Sequence, residues 1–154
     1  VIYMIIRKDC NIFDGGAQGI IHQANCQNTM GSGIAKQIRE KYPEAYEADC
    51  KTIRGDKLKL GSFSWVKGRD GIYIYNCYSQ YFYGRDQRHT NYEAVYTGLR
   101  AILGHAESKG LTSLSLPYNM GCMLGGGNWK IVNAIIEDLF ENSPMELYIC
   151  RYQP

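Results

Sequence analysis

Short apolar runs alternate along this chain with longer segments in which apolar residues recur every three or four positions. The first pattern is typical of strands and the second of amphipathic helices. Strands are predicted at residues 2–6, 19–24, 64–66, 72–77, 113–116 and 147–150. Helices are predicted at residues 32–41, from Pro43 through Ala48, from Thr90 up to Gly110, and from Trp129 to Phe140. This alternation indicates one α/β domain over residues 1–154, with a mainly parallel sheet covered on both faces.

Local signals mark the ends of several elements. Thr90 and Glu93 have the spacing of a capping box, which predicts a helix start at Thr90. Asn128 is the predicted cap of the last helix, and Pro144 ends that helix. The Gly-Arg-Asp-Gly sequence at residues 68–71 predicts a hairpin between the third and fourth strands.

The glycine-rich segment from Pro117 to Trp129 is the most informative part of the chain. It joins a predicted strand to the last helix, and it contains Gly121 and three consecutive glycines at 125–127. Backbone N–H groups at a helix start favour anions, and glycines let the backbone approach a bulky charged ligand. The alternative is a long turn with flexible glycines. Because a turn needs fewer glycines, we favour a phosphate site.

Two further loops leave predicted strands in the same direction, at residues 25–33 and 79–89. Ligands of open α/β sheets bind beyond the carboxyl ends of the strands, so three loops would surround one crevice. The aromatic residues of the second loop suit a sugar or base, which indicates a nucleotide-like ligand. The sequence contains neither a P-loop motif, nor a dinucleotide-binding glycine motif after the first strand, nor a Gly-x-Ser-x-Gly elbow.

Composition narrows the class of protein further. The net charge of +2 over 154 residues argues against a nucleic-acid groove, and the basic residues between 51 and 69 are interpreted as a solvated surface. Six cysteines without metal-ligand spacing indicate reduced thiols in a cytoplasmic protein. No apolar run has the length of a membrane span, and no metal or cofactor is expected.

Three segments together resemble the macrodomain family, the ADP-ribose-binding fold. Residues 7–10 resemble its Gly-Asp-Ile entry, residues 22–25 with 30–35 its first ligand loop, and residues 117–129 its second. The match covers nearly the whole chain. It implies a three-layer α/β/α fold with a mixed, mainly parallel six-stranded sheet. The chain is most similar to small stand-alone macrodomains that process ADP-ribose-1''-phosphate or remove ADP-ribose from proteins.

The resemblance also implies roles for individual residues. Asp9 would accept a hydrogen bond from the adenine amine, Cys10 would help seat the base, and the segment from Ile149 to Tyr152 would border it. Asn25 would contact the distal ribose. From the residues alone, Asp9 is equally a turn residue and Asn25 equally an asparagine that satisfies loop backbone. The other implied ligand-binding residues are Met30, Gly31, Ser32, Gly33, Ile34, Gln80, Asn119, Met120, Gly121, Cys122, Met123, Leu124, Gly125 and Gly126.

The chain departs from the family pattern at three positions. Gln80 aligns with a lysine of the ester-cleaving relatives, and Gly125 aligns with an aspartate. Neither residue can form a Schiff base or act as its acid/base partner, so a covalent lysine mechanism is not expected. Met123 replaces a residue that is usually glycine, and its side chain either crowds the phosphates or turns outward.

The resemblance leaves three functions open. The first is a phosphatase that releases phosphate from ADP-ribose-1''-phosphate, with His22 as acid/base and Asn25 orienting the distal ribose. The alternatives are a non-catalytic ADP-ribose reader, and a hydrolase that removes ADP-ribose from modified macromolecules without a lysine nucleophile. His22 is equally a half-buried strand residue, and Arg85 and Arg88 are candidates to reach a terminal phosphate or solvated loop residues. We expect a monomer without a membrane partner.

Overall fold

A computed structural model describes residues 4–152 of the chain. Six strands form one sheet in the order β1-β6-β5-β2-β4-β3. Every neighbouring pair is parallel except β3 and β4, which are antiparallel, so the mixed and mainly parallel sheet is confirmed. The strands are β1 (Ile5–Lys8), β2 (Gly19–Ala24), β3 (Phe63–Lys67), β4 (Tyr73–Tyr78), β5 (Ser113–Pro117) and β6 (Glu146–Cys150).

Four α-helices cover the two faces of this sheet. They are α1 (Gly33–Lys41), α2 (Pro43–Cys50), α3 (Tyr92–Ser108) and α4 (Trp129–Phe140). Two short 3₁₀ turns lie at Ile12–Asp14 and Lys57–Lys59. None of the helices in the described part of the chain is long and apolar enough to cross a membrane.

The two apolar cores confirm the three-layer arrangement. On one face, Leu99 of α3 and Ile136 of α4 pack against the sheet with Ile21. On the other face, Ile38 of α1 packs with Ile20 and Ile74. The neighbours Ile20 and Ile21 of β2 therefore serve opposite cores, because successive side chains of a strand point to opposite faces. A central parallel strand such as β2 is consequently buried on both sides.

The first strand differs most from its predicted position. The first strand was expected at residues 2–6, but β1 runs from Ile5 to Lys8, and residues 2 and 3 lie outside the described range. Arg7 and Lys8 continue the strand because their backbones pair with Ile149 and Cys150 of β6, whatever their side-chain polarity. The hairpin predicted at residues 68–71 is confirmed between β3 and β4.

The predicted capping box at Thr90 is wrong by one residue. Asn91 is the N-cap of α3, and its side chain accepts a hydrogen bond of 3.0 Å from the backbone N–H of Ala94. The Thr90 hydroxyl instead donates to the backbone oxygen of Gly121. At α4 the predicted cap is confirmed, since the Asn128 side chain accepts from the N–H of Lys130.

His22 lies inside the α2 side of the sheet and is fully buried. The amide nitrogen of Asn76 donates to the Ala45 backbone and to Ser64, so the Asn76 oxygen must accept from Nε2–H of His22, 2.6 Å away. Nδ1 of His22 has no partner among the described residues. Burial lowers the pKa of this imidazole to about 4, only partly offset by the Asn76 bond, so His22 is neutral near pH 7.

This buried imidazole predicts a loss of stability in mild acid. Below pH 6.5 the unfolded chain protonates His22 whereas the folded protein resists protonation down to about pH 4. We expect the free energy of unfolding to fall by about 2 kcal/mol from this group between pH 7 and pH 5. Urea titrations of the protein and of His22→Gln at both pH values measure it. An equal pH dependence in the two proteins would contradict the assignment.

Candidate functional site

A cleft of about 840 Å³ opens at the carboxyl ends of the parallel strands. Three loops surround it: residues 25–32 after β2, residues 79–91 after β4 and residues 118–128 after β5. The chain after β1 and after β6 closes one end, with Asn11, Ile12 and Tyr152 among its wall residues. The crevice predicted from three strand-to-helix loops is therefore present, because parallel strands deliver their following loops to the same edge of the sheet.

The loop after β2 is held in a fixed shape by its own side chains. Asn25 Oδ1 accepts from the N–H of Gln27 at 2.8 Å, and Asn25 Nδ2 donates to the Thr29 hydroxyl at 2.7 Å. Asn28 and Met30 adopt left-handed backbone conformations with φ of 57° and 40°. Asn25 therefore forms hydrogen bonds within the loop, as expected for an asparagine that satisfies loop backbone. It also lines the cleft.

The N-terminus of α1 opens into the cleft beyond this loop. Gly33 and Ile34 line the cleft, and Ser32 is the N-cap residue but makes no side-chain capping bond. Backbone N–H groups at this helix start therefore lack a side-chain acceptor, which favours an anionic ligand. A methyl group on Gly33 would lie 3.3 Å from Leu124 Cδ1, so the loop after β2 and the glycine loop nearly touch.

The glycine loop, residues 118–128, is tied to the loop after β4. The backbone N–H groups of His89 and Thr90 donate to the oxygen of Gly125 at 2.9 and 3.1 Å. The Thr90 hydroxyl donates to the oxygen of Gly121 at 2.6 Å, and this oxygen also accepts from the N–H of Gly127. These hydrogen bonds hold the glycine loop in one conformation, so it is not a flexible turn.

A cluster of polar side chains lies beside the glycine loop. Gln23 Nε2 donates to Gln80 Oε1 at 2.5 Å and to the Thr90 hydroxyl at 3.1 Å. Gln23 Oε1 accepts from the Ser79 hydroxyl at 2.7 Å. Gln23 was not among the predicted site residues, although it lines the cleft at the end of β2. It occupies the face of β2 opposite to His22.

The two family departures, Gln80 and Gly125, meet at this cluster. A Cβ atom on Gly125 would lie 2.3 Å from Thr90 Oγ1 and 2.8 Å from both Gln23 Nε2 and the Gly121 oxygen. No side chain fits there without displacing backbone, so glycine is required and an aspartate is sterically excluded. Met123 is 73% exposed and belongs to the cleft wall.

Most of the predicted ligand-binding residues line the cleft: Asn25, Met30, Gly31, Ser32, Gly33, Ile34, Gln80, Asn119, Met120, Gly121, Met123, Leu124, Gly125 and Tyr152. Cys150 and Arg151 also line the cleft, in the segment 149–152 that the resemblance placed beside the adenine. The other wall residues had no individual role assigned from the sequence: Asn11, Ile12, Gln23, Ala24, Ala35, Gln37, Tyr83, Gly84, Pro117 and Tyr118. Arg85, a candidate phosphate contact, also lines it, whereas Arg88 does not.

Five predicted residues do not line the cleft. Asp9 and Cys10 lie before the 3₁₀ turn, so Asn11 and Ile12 form the wall in their place. Cys122 directs its thiol to the backbone oxygen of Met120. Gly126 packs against the Arg88 backbone, and His22 is buried beneath α2. The position of His22 does not support an acid/base role.

The cleft walls carry positive charge and amides. Arg85 and Arg151 are the charged wall residues, and no Asp, Glu or His belongs to the described lining. Burial raises the pKa of the Cys150 thiol to about 12, so it is not a thiolate at neutral pH. Among residues 4–152 no group of three or more His, Cys, Asp or Glu side chains is arranged to hold a metal ion. The site therefore suits an anionic ligand bound by backbone N–H groups and amides.

Comparison with known proteins agrees with this geometry. The family model of the Macro domain matches residues 21–136, and the chain belongs to this family. It is 29% identical to an uncharacterized 17.5 kDa protein of Enterobacteria phage T4, over 100% of this chain and 99% of that protein. It is 30% identical to the ADP-ribose glycohydrolase OARD1 of Bos taurus, over 84% of this chain and 79% of the relative.

Two further matches bear on fold and activity. The solved macrodomain of Mycobacterium tuberculosis DarG superimposes with a TM-score of 0.82 at 22% identity, over 99% of each chain, which shows the common fold. A local match of 44% identity over 43 residues links the chain to an ADP-ribose 1''-phosphate phosphatase of Aspergillus fumigatus. That match covers 26% of this chain and 20% of the phosphatase.

The packing at Gly125 predicts a matched pair of glycine variants. Gly125→Ala forces a methyl group into the Thr90 hydroxyl, and we expect it to reduce the free energy of unfolding by about 1–3 kcal/mol. Gly31→Ala, in the other ligand loop, should cost no stability, because its nearest atoms are 3.9 Å away. Urea unfolding of both variants makes the comparison. Equal stabilities of the two variants would show that the glycine loop accommodates a methyl group at position 125.

Proposed function

We propose that this cleft binds ADP-ribose. The observation that carries the proposal is the near contact between Gly33 at the start of α1 and Leu124 of the glycine loop. The start of α1 and the glycine loop therefore border one passage, where backbone N–H groups from both sides would have the chemistry to bind a diphosphate. Membership of the Macro domain family and the similarity to an ADP-ribose glycohydrolase support this ligand.

The two ends of the cleft differ in a way that suits the two ends of ADP-ribose. Ile12 and Tyr152 offer apolar surface for the adenine, and Asn11 offers an amide beside them. At the other end, Asn25, Gln80 and Arg85 surround the space where the distal ribose would lie. An amide nitrogen carries two N–H donors, and Asn25 uses one on Thr29, which leaves one for a ribose hydroxyl.

For the activity, we infer hydrolysis that releases ADP-ribose from a modified macromolecule. Water would attack C1'' of the distal ribose while the bond from C1'' to the target breaks. The target leaves with the bonding electron pair and receives a proton from the water, and ADP-ribose keeps the hydroxyl. Since the described wall residues include neither a carboxylate nor an imidazole, the side chains of Asn25 and Gln80 would orient the water and the ligand's own hydroxyls would relay the proton.

Phosphate release from ADP-ribose-1''-phosphate is the second candidate. The local match to the fungal phosphatase and the Arg85 guanidinium in the wall favour it. The glycohydrolase relative covers far more of the chain, and for this reason we place removal of ADP-ribose first. A reader without turnover would fit the lack of a carboxylate or imidazole among the described wall residues, and it is the third outcome of the test.

Calorimetric titration tests the ligand first. We expect ADP-ribose to bind in the micromolar range and ADP at least about tenfold more weakly, because ADP lacks the distal ribose. Asn25→Asp keeps an oxygen for the Gln27 N–H but removes the amide donors. This variant should bind ADP-ribose about tenfold more weakly than the parent protein and should bind ADP with unchanged affinity. Equal binding of the two ligands by the parent protein would reject the proposal.

Two activity assays then separate the three functions. The protein is incubated with an ADP-ribosylated macromolecule, followed by chromatography for free ADP-ribose, and with ADP-ribose-1''-phosphate, followed by a phosphate assay. We expect release of ADP-ribose, reduced in Asn25→Asp. Phosphate release alone would make the protein a phosphatase. No product in either assay, with tight ADP-ribose binding, would make it a reader.

A further inference from the structure

Two cysteines lie side by side at the end of the cleft that suits the adenine. Cys10 follows β1, and Cys150 is the last residue of β6, the strand that pairs with β1. A Cβ atom on Gly15 would lie 3.0 Å from the Cys150 sulfur and 3.9 Å from the Cys10 sulfur. Both sulfurs therefore pack against the same glycine, and we call Cys10 and Cys150 the thiol pair.

The two members of the thiol pair differ in their surroundings. Cys150 is 4% exposed and belongs to the cleft wall, whereas Cys10 is partly exposed and lies outside the wall. Both residues pack with Ile12 in one apolar cluster. A dissolved reagent therefore reaches the thiol pair at Cys10, while a change at Cys150 alters the wall of the cleft.

A lysine lies beside the thiol pair. Lys8 Nζ donates to the backbone oxygen of Gly15 at 3.0 Å and lies 3.6 Å from the centre of the Tyr148 ring. Burial and the neighbouring Cys10 thiol raise the pKa of the Cys150 thiol, and the positive charge of Lys8 opposes that rise. Because the thiolate is the form that attacks, Lys8 favours the reactive state of Cys150.

The other four cysteines have different surroundings. Cys26 and Cys77 are fully buried, and the Cys122 thiol is directed to the backbone oxygen of Met120. Cys50 is exposed at the end of α2. An accessible thiol at Cys50 therefore provides the control for a reaction at the thiol pair.

We propose that Cys10 and Cys150 form a reversible disulfide in the presence of a peroxide, and that this bond weakens ligand binding at the adenine end of the cleft. The Cys10 thiolate attacks one oxygen of hydrogen peroxide and the O–O bond breaks. Cys10 becomes a sulfenic acid, and the other oxygen leaves as hydroxide and is protonated to water. The Cys150 thiolate then attacks the Cys10 sulfur, the S–O bond breaks, and a second hydroxide leaves and is protonated. The two thiols lose two electrons in total, and one peroxide is reduced to two waters.

The position of the thiol pair explains why the bond would affect the ligand. The end of β6 is fixed, because the Tyr118 N–H donates to the backbone oxygen of Cys150 at 2.9 Å. The connection from Cys10 to Ile12 lies outside the sheet, so it would move when the two sulfurs are drawn into a bond. Ile12 belongs to the wall on which the adenine would lie, and this effect on binding rests on the proposed function.

Peptide mapping tests the disulfide without any ligand. The protein is treated with hydrogen peroxide, its remaining thiols are blocked with N-ethylmaleimide, and it is digested with trypsin under non-reducing conditions. We expect mass spectrometry to find a linked pair of peptides containing Cys10 and Cys150, which dithiothreitol separates. Cys50→Ser should give the same linked pair, and Cys10→Ser should give none. Absence of the link from the oxidised parent protein would overturn the proposal.

Calorimetric titration with ADP-ribose tests the effect on the cleft. We expect the oxidised parent protein to bind about fivefold or more weakly than the reduced protein, and dithiothreitol to restore the affinity. Since Cys10 lies outside the wall, reduced Cys10→Ser should bind ADP-ribose like the parent protein. Peroxide should leave the affinity of Cys10→Ser unchanged, which separates the disulfide from oxidation of Met120 or Met123 in the cleft wall.

The outcomes distinguish this inference from the proposed function. Equal ADP-ribose affinity of the oxidised and reduced parent protein would overturn the predicted effect on the cleft, even where the linked peptides are found. Failure of ADP-ribose to bind the reduced parent protein would instead reject the proposed function, and the peptide map would still decide whether the disulfide forms.

Discussion

The tie between the loop after β4 and the glycine loop is the constraint on which the site depends. The backbone N–H groups of His89 and Thr90 donate to the oxygen of Gly125, and the Thr90 hydroxyl donates with the Gly127 N–H to the oxygen of Gly121. With those oxygens bonded inside the protein, they are not available to meet a ligand in the cleft. An anion site built from backbone N–H groups requires this, because a loop whose oxygens turned toward the ligand would repel it.

The same tie has a chemical consequence. Thr90 Oγ1 and Gln23 Nε2 fill the space that a side chain at position 125 would need, so the acid of the lysine–aspartate type cannot be accommodated on this backbone. Gln80, at the position of the lysine, is hydrogen-bonded to Gln23 and to the Phe82 backbone. The two departures are thus one feature: a neutral amide–hydroxyl cluster takes the place of a charged pair. Such a cluster can orient a ligand or a water molecule by hydrogen bonds, but it contains no nucleophile for covalent attack on the ribose.

The sequence predicted the fold more completely than the site, for a physical reason. Helical spacing located α3 and α4, and the glycine loop located the cleft, because both are local patterns. The sequence could not predict which face of the sheet His22 occupies. Because β2 is buried on both faces, its sequence lacks the alternation of polar and apolar residues that would distinguish the two faces. That Asn11 and not Asp9 lines the cleft depends on how the chain turns after β1. Thr90 was wrongly predicted as part of the helix cap because the partner of its hydroxyl, Gly121, is 31 residues away in the sequence.

The loop after β2 is held by a buried lysine that lies outside it. Lys59 is buried, and its Nζ donates to Asn28 Oδ1 at 2.6 Å and to the Thr52 hydroxyl at 2.8 Å. Asn28 Nδ2 donates to the Thr52 backbone oxygen, which supports the left-handed backbone at Asn28. A buried cation is costly unless it is fully hydrogen-bonded, so this anchor tolerates few alternative loop shapes. Each wall of the cleft is therefore shaped by a polar group from outside it, Thr90 for one and Lys59 for the other. The residues that face the ligand are thereby left free to vary in chemistry while the shape of the cleft is kept.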